Sequence, residues 1–142
     1  MAREGMPTIA HVLETALYVD DLGRAVAFYR DILGLCVLDS GARFAAIDAG
    51  HATILLLFRR ESAAKGTRMP SGWIPPHDAQ GPAHIAFAVD ADQIAAWEEY
   101  LPRHGVMIES RVHWQAGGYS IYFRDPDGHS IELATPGTWS TY

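Results

Sequence analysis

Cysteine is nearly absent from this chain of 142 residues. Cys36 stands alone, so no disulfide can form within the chain, which fits a reducing compartment. No histidine or other base lies near it in sequence. It follows Gly34-Leu35 and reads as a small hydrophobe that begins a strand. Positive charge is also scarce: 11 Lys and Arg against 17 Asp and Glu give a net charge of -6. With no basic stripe, the electrostatic footprint of a nucleic-acid-binding protein is missing. Long apolar runs are missing too. None approaches the roughly 18 residues that a membrane-spanning helix needs. The N-terminal MAREGMPTIAH carries no secretory hydrophobic region. These absences predict a cytoplasmic protein whose partners are neither nucleic acid nor membrane.

What the chain does have is a pattern that occurs twice. After about twelve residues of loose leader, Leu13, Thr15, Leu17 and Val19 alternate with Glu14, Ala16 and Tyr18, which predicts a half-buried strand. Asp21 is placed to cap a helix. Leu22, Ala25, Val26, Phe28, Tyr29, Ile32 and Leu33 recur at helical spacing, and Gly34 ends the helix. Strand-like runs follow at 35–39, 43–48 and 53–58, with Ser40-Gly41 and Ala49-Gly50 as turns. From Arg59 to Pro82 the composition turns polar and then Gly/Pro-rich, as in a linker without regular structure. The order then repeats. His84 to Val89 reads as a strand. Asp90 or Asp92 caps a helix bearing Ile94, Trp97, Tyr100 and Leu101. Strands are expected at 106–112, 119–124 and 130–135, with Asp125-Pro126-Asp127-Gly128 as the last turn. This internal repeat is βαβββ twice. It predicts one α+β domain of two tandem βαβββ modules: module one at about 12–58, a linker at about 59–82 and module two at about 83–136.

Three segments carry a family resemblance. They are Ala16-Leu17-Tyr18-Val19-Asp20-Asp21-Leu22 with Ala27 to Gly34, then Gly81 to Val89, then Tyr122 to Leu133 with its Asp-Pro-Asp-Gly-His run. They resemble the vicinal oxygen chelate superfamily, which includes glyoxalases, bleomycin resistance proteins and extradiol dioxygenases. The resemblance covers nearly the whole chain. It implies that the modules form curled mixed sheets that enclose a cup. It also implies metal ligands on first and last strands, at Glu14, His84 and Glu132. Glu14 departs from the pattern, since many relatives carry histidine there. The last strand of module one, Ile54-Leu55-Leu56-Leu57, offers no fourth ligand. One imidazole and two carboxylates make a hard, open set for one divalent ion. Mn²⁺, Fe²⁺, Mg²⁺, Ni²⁺ and Zn²⁺ are the candidates, with the harder ions favoured.

Alternation along the strands is consistent with these positions. Each of the three residues shares its face with small or polar neighbours, and the bulky residues point the other way. Taken singly, each has an ordinary alternative: a surface glutamate, a hydrogen-bonded core histidine, a partner for an arginine. Tyr18 and Tyr122 are the expected substrate-side residues. Arg124 is expected either to bind an anionic group or to brace its turn by a salt bridge. His129 and His51 follow turn glycines and read as structural or exposed. His77, in the linker, is either exposed or able to reach the cup as an acid/base. Trp73, Trp114, Tyr119 and Trp139 either line the cup or pack elsewhere.

The function this implies is a small metal-dependent enzyme acting on a substrate chelated through neighbouring oxygens. A lyase or isomerase would use Glu14 or Glu132 as its catalytic base. An extradiol-type dioxygenase would want two histidines and one carboxylate. The segment Gly117 to Phe123 with Glu132 also resembles enzymes that transfer a thiol to fosfomycin. A metal-free protein that sequesters an aromatic drug is the non-enzyme alternative. Family members of this length imply a homodimer, with modules exchanged between chains as one arrangement.

Overall fold

The computed structural model describes residues 4–142. The first three residues of the leader lie outside the described residues. Module one places β1 (Glu14–Val19), a helix α1 (Leu22–Ala27), and then β2 (Cys36–Ser40), β3 (Phe44–Asp48) and β4 (Ile54–Arg59). The linker carries β5 (Thr67–Met69) and β6 (Gly72–Ile74). Module two places β7 (His84–Ala88), α2 (Ile94–Arg103), β8 (Ser110–His113), β9 (Tyr119–Arg124) and β10 (Ser130–Ala134). The architecture is α+β, with a four-stranded mixed sheet in each module. The sheet orders are β1-β4-β3-β2 and β7-β10-β9-β8. In each, the first strand pairs in parallel with the last, Glu14 opposite Ile54 and His84 opposite Ser130. The first strand of each module is therefore a sheet edge.

Local chemistry explains most boundaries. Asp21 Oδ1 accepts the Arg24 amide at 2.9 Å and starts α1. The helix continues through a π-helical turn, Phe28–Ile32, in which the Leu33 amide reaches back to the Phe28 carbonyl. Gly34, at φ 72°, then turns the chain out. Three expectations are corrected. The N-cap of α2 is Gln93, not an aspartate, and no side chain caps it. The first strand after α2 starts at Ser110, not Val106. The Val106 amide is bound to the Leu101 carbonyl at the helix exit, and pairing with β9 begins only when the Glu109 amide reaches the Tyr122 carbonyl. The linker is not without structure: Thr67 pairs with Ile74 in a short antiparallel hairpin, and Arg43 Nη2 donates to the Ser62 carbonyl and to Thr67 Oγ1.

The two modules share one core. Leu17 and Val19 of β1, Leu55 and Leu57 of β4, Ile121 and Phe123 of β9, and Ile131 of β10 lie in the same buried cluster. A polar seam locks the modules together beside it. The Asp125–Gly128 turn packs on the end of β1: Asp127 Oδ1 accepts the Asp20 amide at 2.8 Å, and the Tyr29 hydroxyl donates to Asp125 Oδ2 at 2.7 Å. His129, 1% exposed, bridges the modules. Its Nδ1 accepts the Ala83 amide and its Nε2 donates to the Tyr18 carbonyl, each at 2.8 Å. Since Nδ1 is an acceptor here, the ring is neutral with its proton on Nε2.

Candidate metal centre

The helix-side faces of both sheets supply the shared core, and the opposite faces of both carry the more polar or more exposed residues. The open face of module two carries His84, Ser120, Tyr122 and Glu132. Glu132 lies on the central strand β10, beside Ala86 of β7 and Tyr122 of β9. His84 lies two pairs further along at the sheet edge, opposite Ser130. This register brings His84 Nε2 to 3.2 Å from Glu132 Oε2. The imidazole side chain is half exposed, and Glu132 is only 6% exposed.

The remaining polar atoms of the pair are occupied. His84 Nδ1 lies 2.9 Å from the Ser130 carbonyl oxygen. A carbonyl only accepts, so Nδ1 carries a proton, and in the neutral ring the Nε2 lone pair would face Glu132. Glu132 Oε1 accepts from Ser120 Oγ at 2.6 Å, which leaves Oε2 as the open oxygen. Two lone pairs facing each other at 3.2 Å repel unless a cation lies between them. The cation can be a proton or a metal ion. Two ligands each about 2.1 Å from one ion lie about 3.0 Å apart at a right angle and about 3.4 Å apart at the tetrahedral angle. The donor set and its spacing therefore fit a divalent ion, of which His84 and Glu132 would be two ligands.

Glu14 does not join them. Among the described residues, no three His, Cys, Asp or Glu side chains converge to hold an ion within one chain. Glu14 is exposed at the start of β1, on the open face of module one. That face is mostly apolar and half exposed, with Tyr18, Ile54, Leu56 and Phe58, and it carries Asp48 opposite Ile54, whose Oδ1 accepts the Gly50 amide at 2.8 Å. The linker supplies one polar group to it. His77 stacks edge-on against Phe58, and the Tyr18 hydroxyl lies 2.6 Å from His77 Nδ1. Burial, with the charge of Asp78 beside it, holds the Tyr18 phenol above its usual value. It is therefore protonated and donates.

The other expected residues fall as follows. Tyr122 stacks on His84, and burial followed by the Glu132 carboxylate raises its phenol above the usual range. Arg124 is engaged: Glu109 takes both its Nε and Nη2, and the Gly128 carbonyl takes Nη1. This is the bracing salt bridge of the two roles expected for it. His51 is exposed. Two more residues lie at the centre: Ser120, which carried no individual signal in the sequence, and Trp114, which read only as an aromatic for the cup or for packing elsewhere. Ser120 is fully buried, and Trp114 Nε1 donates to its Oγ at 2.8 Å. Only cross-strand register, with Ser120 opposite Ala134 and Val112, brings them beside Glu132. A cavity of about 640 Å³ between the modules, lined by Thr15, Phe87, Trp97 and Tyr142 among others, lies on the helix side and includes none of these groups.

The chain and its fold are similar to those of known proteins. The family model described as glyoxalase/bleomycin resistance protein/dioxygenase superfamily matches residues 8–133. Metallothiol transferase FosB of Staphylococcus epidermidis is 33% identical over 129 residues, covering 89% of this chain and 82% of that protein. FosB of Bacillus licheniformis is 31% identical over 118 residues, with 82% and 70% covered. Among solved structures, lactoylglutathione lyase from Agrobacterium tumefaciens superposes with a TM-score of 0.85 at 32% identity, covering 94% of this chain and 99% of that one.

Proposed function

We propose that this chain, which belongs to the glyoxalase/bleomycin resistance protein/dioxygenase superfamily, is a divalent-metal-dependent enzyme that transfers a thiol to a small oxygenated substrate. Its metal centre is completed by Glu14 of a second copy. The observation that carries this reading is the opposed pair of His84 Nε2 and Glu132 Oε2 at 3.2 Å, with every other polar atom of the two side chains occupied. The thiol comes from the relatives: the names metallothiol transferase and lactoylglutathione lyase both concern thiol compounds.

His84, Glu132 and Glu14 of the second copy would hold the ion. Such an ion supplies a Lewis acid that grips neighbouring substrate oxygens and stabilises negative charge as it develops. The chain's own residues do the rest. In the transfer, the thiol gives up its proton and its sulfur forms a bond to an electrophilic carbon. The carbon–oxygen bond of a strained ring breaks, and the released oxygen takes up a proton. The Tyr122 hydroxyl, protonated beside Glu132, is suited to donate a hydrogen bond to that oxygen. Tyr18 and Phe58, with His77, offer an apolar wall with one imidazole for the far part of a substrate. Arg124, tied to Glu109, would contribute only positive potential at the rim.

The open, apolar face of module one supports a second copy as its cover, because a half-exposed apolar sheet face beside a bare edge strand is a natural place for association. A lyase is the second reading, favoured by the 0.85 superposition. A lyase needs a mobile carboxylate base. Glu132 is held by Ser120 and packed on His84, so that role would go to Glu14. A one-histidine set does not suit the dioxygenase reading.

The test uses purified protein loaded with Mn²⁺, incubated with cysteine or glutathione and fosfomycin, and read by mass spectrometry. A thiol adduct that needs both protein and Mn²⁺ is the expected result. If Mn²⁺ binds and no adduct forms, while the hemithioacetal of glutathione and methylglyoxal is turned over, the transferase reading gives way to the lyase.

A further inference from the structure

The occupied oxygen of Glu132 is fixed by a chain of donors that runs in one direction only. An indole N–H donates and cannot accept. Trp114 Nε1 donates to Ser120 Oγ at 2.8 Å. With one lone pair so engaged, the Ser120 hydroxyl points its single proton at Glu132 Oε1, 2.6 Å away. A serine without the indole could turn its proton elsewhere and accept nothing. With the indole in place, Oε1 is committed and Oε2 alone is offered toward His84.

The backbone around Trp114 is built to hold the indole there. The Trp114 amide donates to the Gly118 carbonyl and the Gly117 amide to the Trp114 carbonyl, closing a tight turn between β8 and β9. Gly118 presses on the C-terminal segment so closely that a Cβ would lie 2.4 Å from the Gly137 carbonyl carbon. No other residue fits that position. The turn is thus held against the C-terminal segment, and the indole N–H of Trp114 reaches Ser120 from it.

We propose that Trp114 is a positioning residue of the metal centre. Acting through Ser120, it makes Glu132 a one-oxygen ligand and so keeps a further coordination position free for substrate. This inference rests on the metal-centre reading above.

A calorimetric Mn²⁺ titration of a double-mutant cycle tests it. Trp114→Phe keeps the aromatic wall and removes only the donor, and affinity is expected to fall roughly 3- to 10-fold, the worth of one hydrogen bond. Ser120→Ala is expected to cost roughly 10- to 100-fold, as outer-layer partners of metal ligands do. Ser120→Thr, which keeps the hydroxyl, restores binding. The double variant Trp114→Phe/Ser120→Ala binds no more weakly than Ser120→Ala. Losses that multiply in the double variant would mean that Trp114 acts independently of Ser120, and would overturn the proposal. So would unchanged affinity in Trp114→Phe. Where wild type binds Mn²⁺ and Glu132→Gln loses it, such a result leaves the metal centre standing. Wild type that binds no Mn²⁺ overturns both. On the unaltered protein labelled with ¹⁵N-tryptophan, Zn²⁺ is expected to shift the Trp114 indole N–H resonance, identified by its loss in Trp114→Phe. An indole resonance indifferent to bound Zn²⁺ also overturns the proposal.

Discussion

His84→Ala removes a nitrogen that has no substitute nearby. Mn²⁺ affinity measured by calorimetry is expected to fall by more than about 100-fold, since even outer-layer partners cost roughly 10- to 100-fold. Binding within about threefold of wild type would remove His84 from the ligand set. At this scale the sequence pointed to the proposed ligands and was silent about their supports. His84 and Glu132 came from the family resemblance, with strand alternation consistent with them, and the parallel register of β7 and β10 sets them side by side. Ser120 and Trp114 were not legible as supports. Trp114 read only as an aromatic for the cup, because the contact that matters crosses from a turn onto the next strand. His77 gave two readings, and the structure places it against Tyr18 and Phe58.

Among the elements, the seam between modules carries a testable stability. Burial first, then the Asp125 carboxylate, holds the Tyr29 phenol far above its ordinary value. The sign follows directly. The folded state keeps the proton that an unfolded tyrosine loses near pH 10. The Tyr29 contribution is therefore complete below about pH 10 and is lost as pH rises above it, at a limiting slope of about 1.4 kcal/mol per pH unit. Tyr29→Phe leaves Asp125 Oδ2 without its donor and is expected to cost about 1–3 kcal/mol in urea unfolding at pH 8. The gap between wild type and variant should narrow between pH 9 and pH 11. A gap that stays constant with pH would mean that the hydroxyl is not held protonated at the seam. The elements themselves followed the sequence where local chemistry was decisive, at the Asp21 cap and the Gly34 exit. They departed where distant partners decide. The short β5–β6 hairpin is met by Arg43, which hydrogen-bonds to Thr67 from just before β3, and nothing in the Gly/Pro-rich composition announces that. The Asp125-Pro126-Asp127-Gly128 turn was legible as a turn, but its grip on β1 was not.

For the whole molecule, the seam has a consequence for function. By joining the modules through their helix sides, it turns Glu14 and the His84–Glu132 pair onto separate open faces of one chain. The repeat predicts two equivalent half-cups, and both are present as curled sheets. It does not reveal which faces meet, because alternation gives each strand two faces and only tertiary packing chooses between them. On the proposed reading, a complete metal centre therefore needs two chains. Mixing chains tests it most directly. Glu14→Ala and Glu132→Ala proteins are each expected to bind Mn²⁺ weakly when alone. Co-expressed and purified as the mixed dimer with two different tags, they should regain one tight site per dimer. That site would combine His84 and Glu132 of the first chain with Glu14 of the second. A mixed dimer that binds no better than either variant alone would place all three ligands on one chain, or leave Glu14 out, and would contradict the claim.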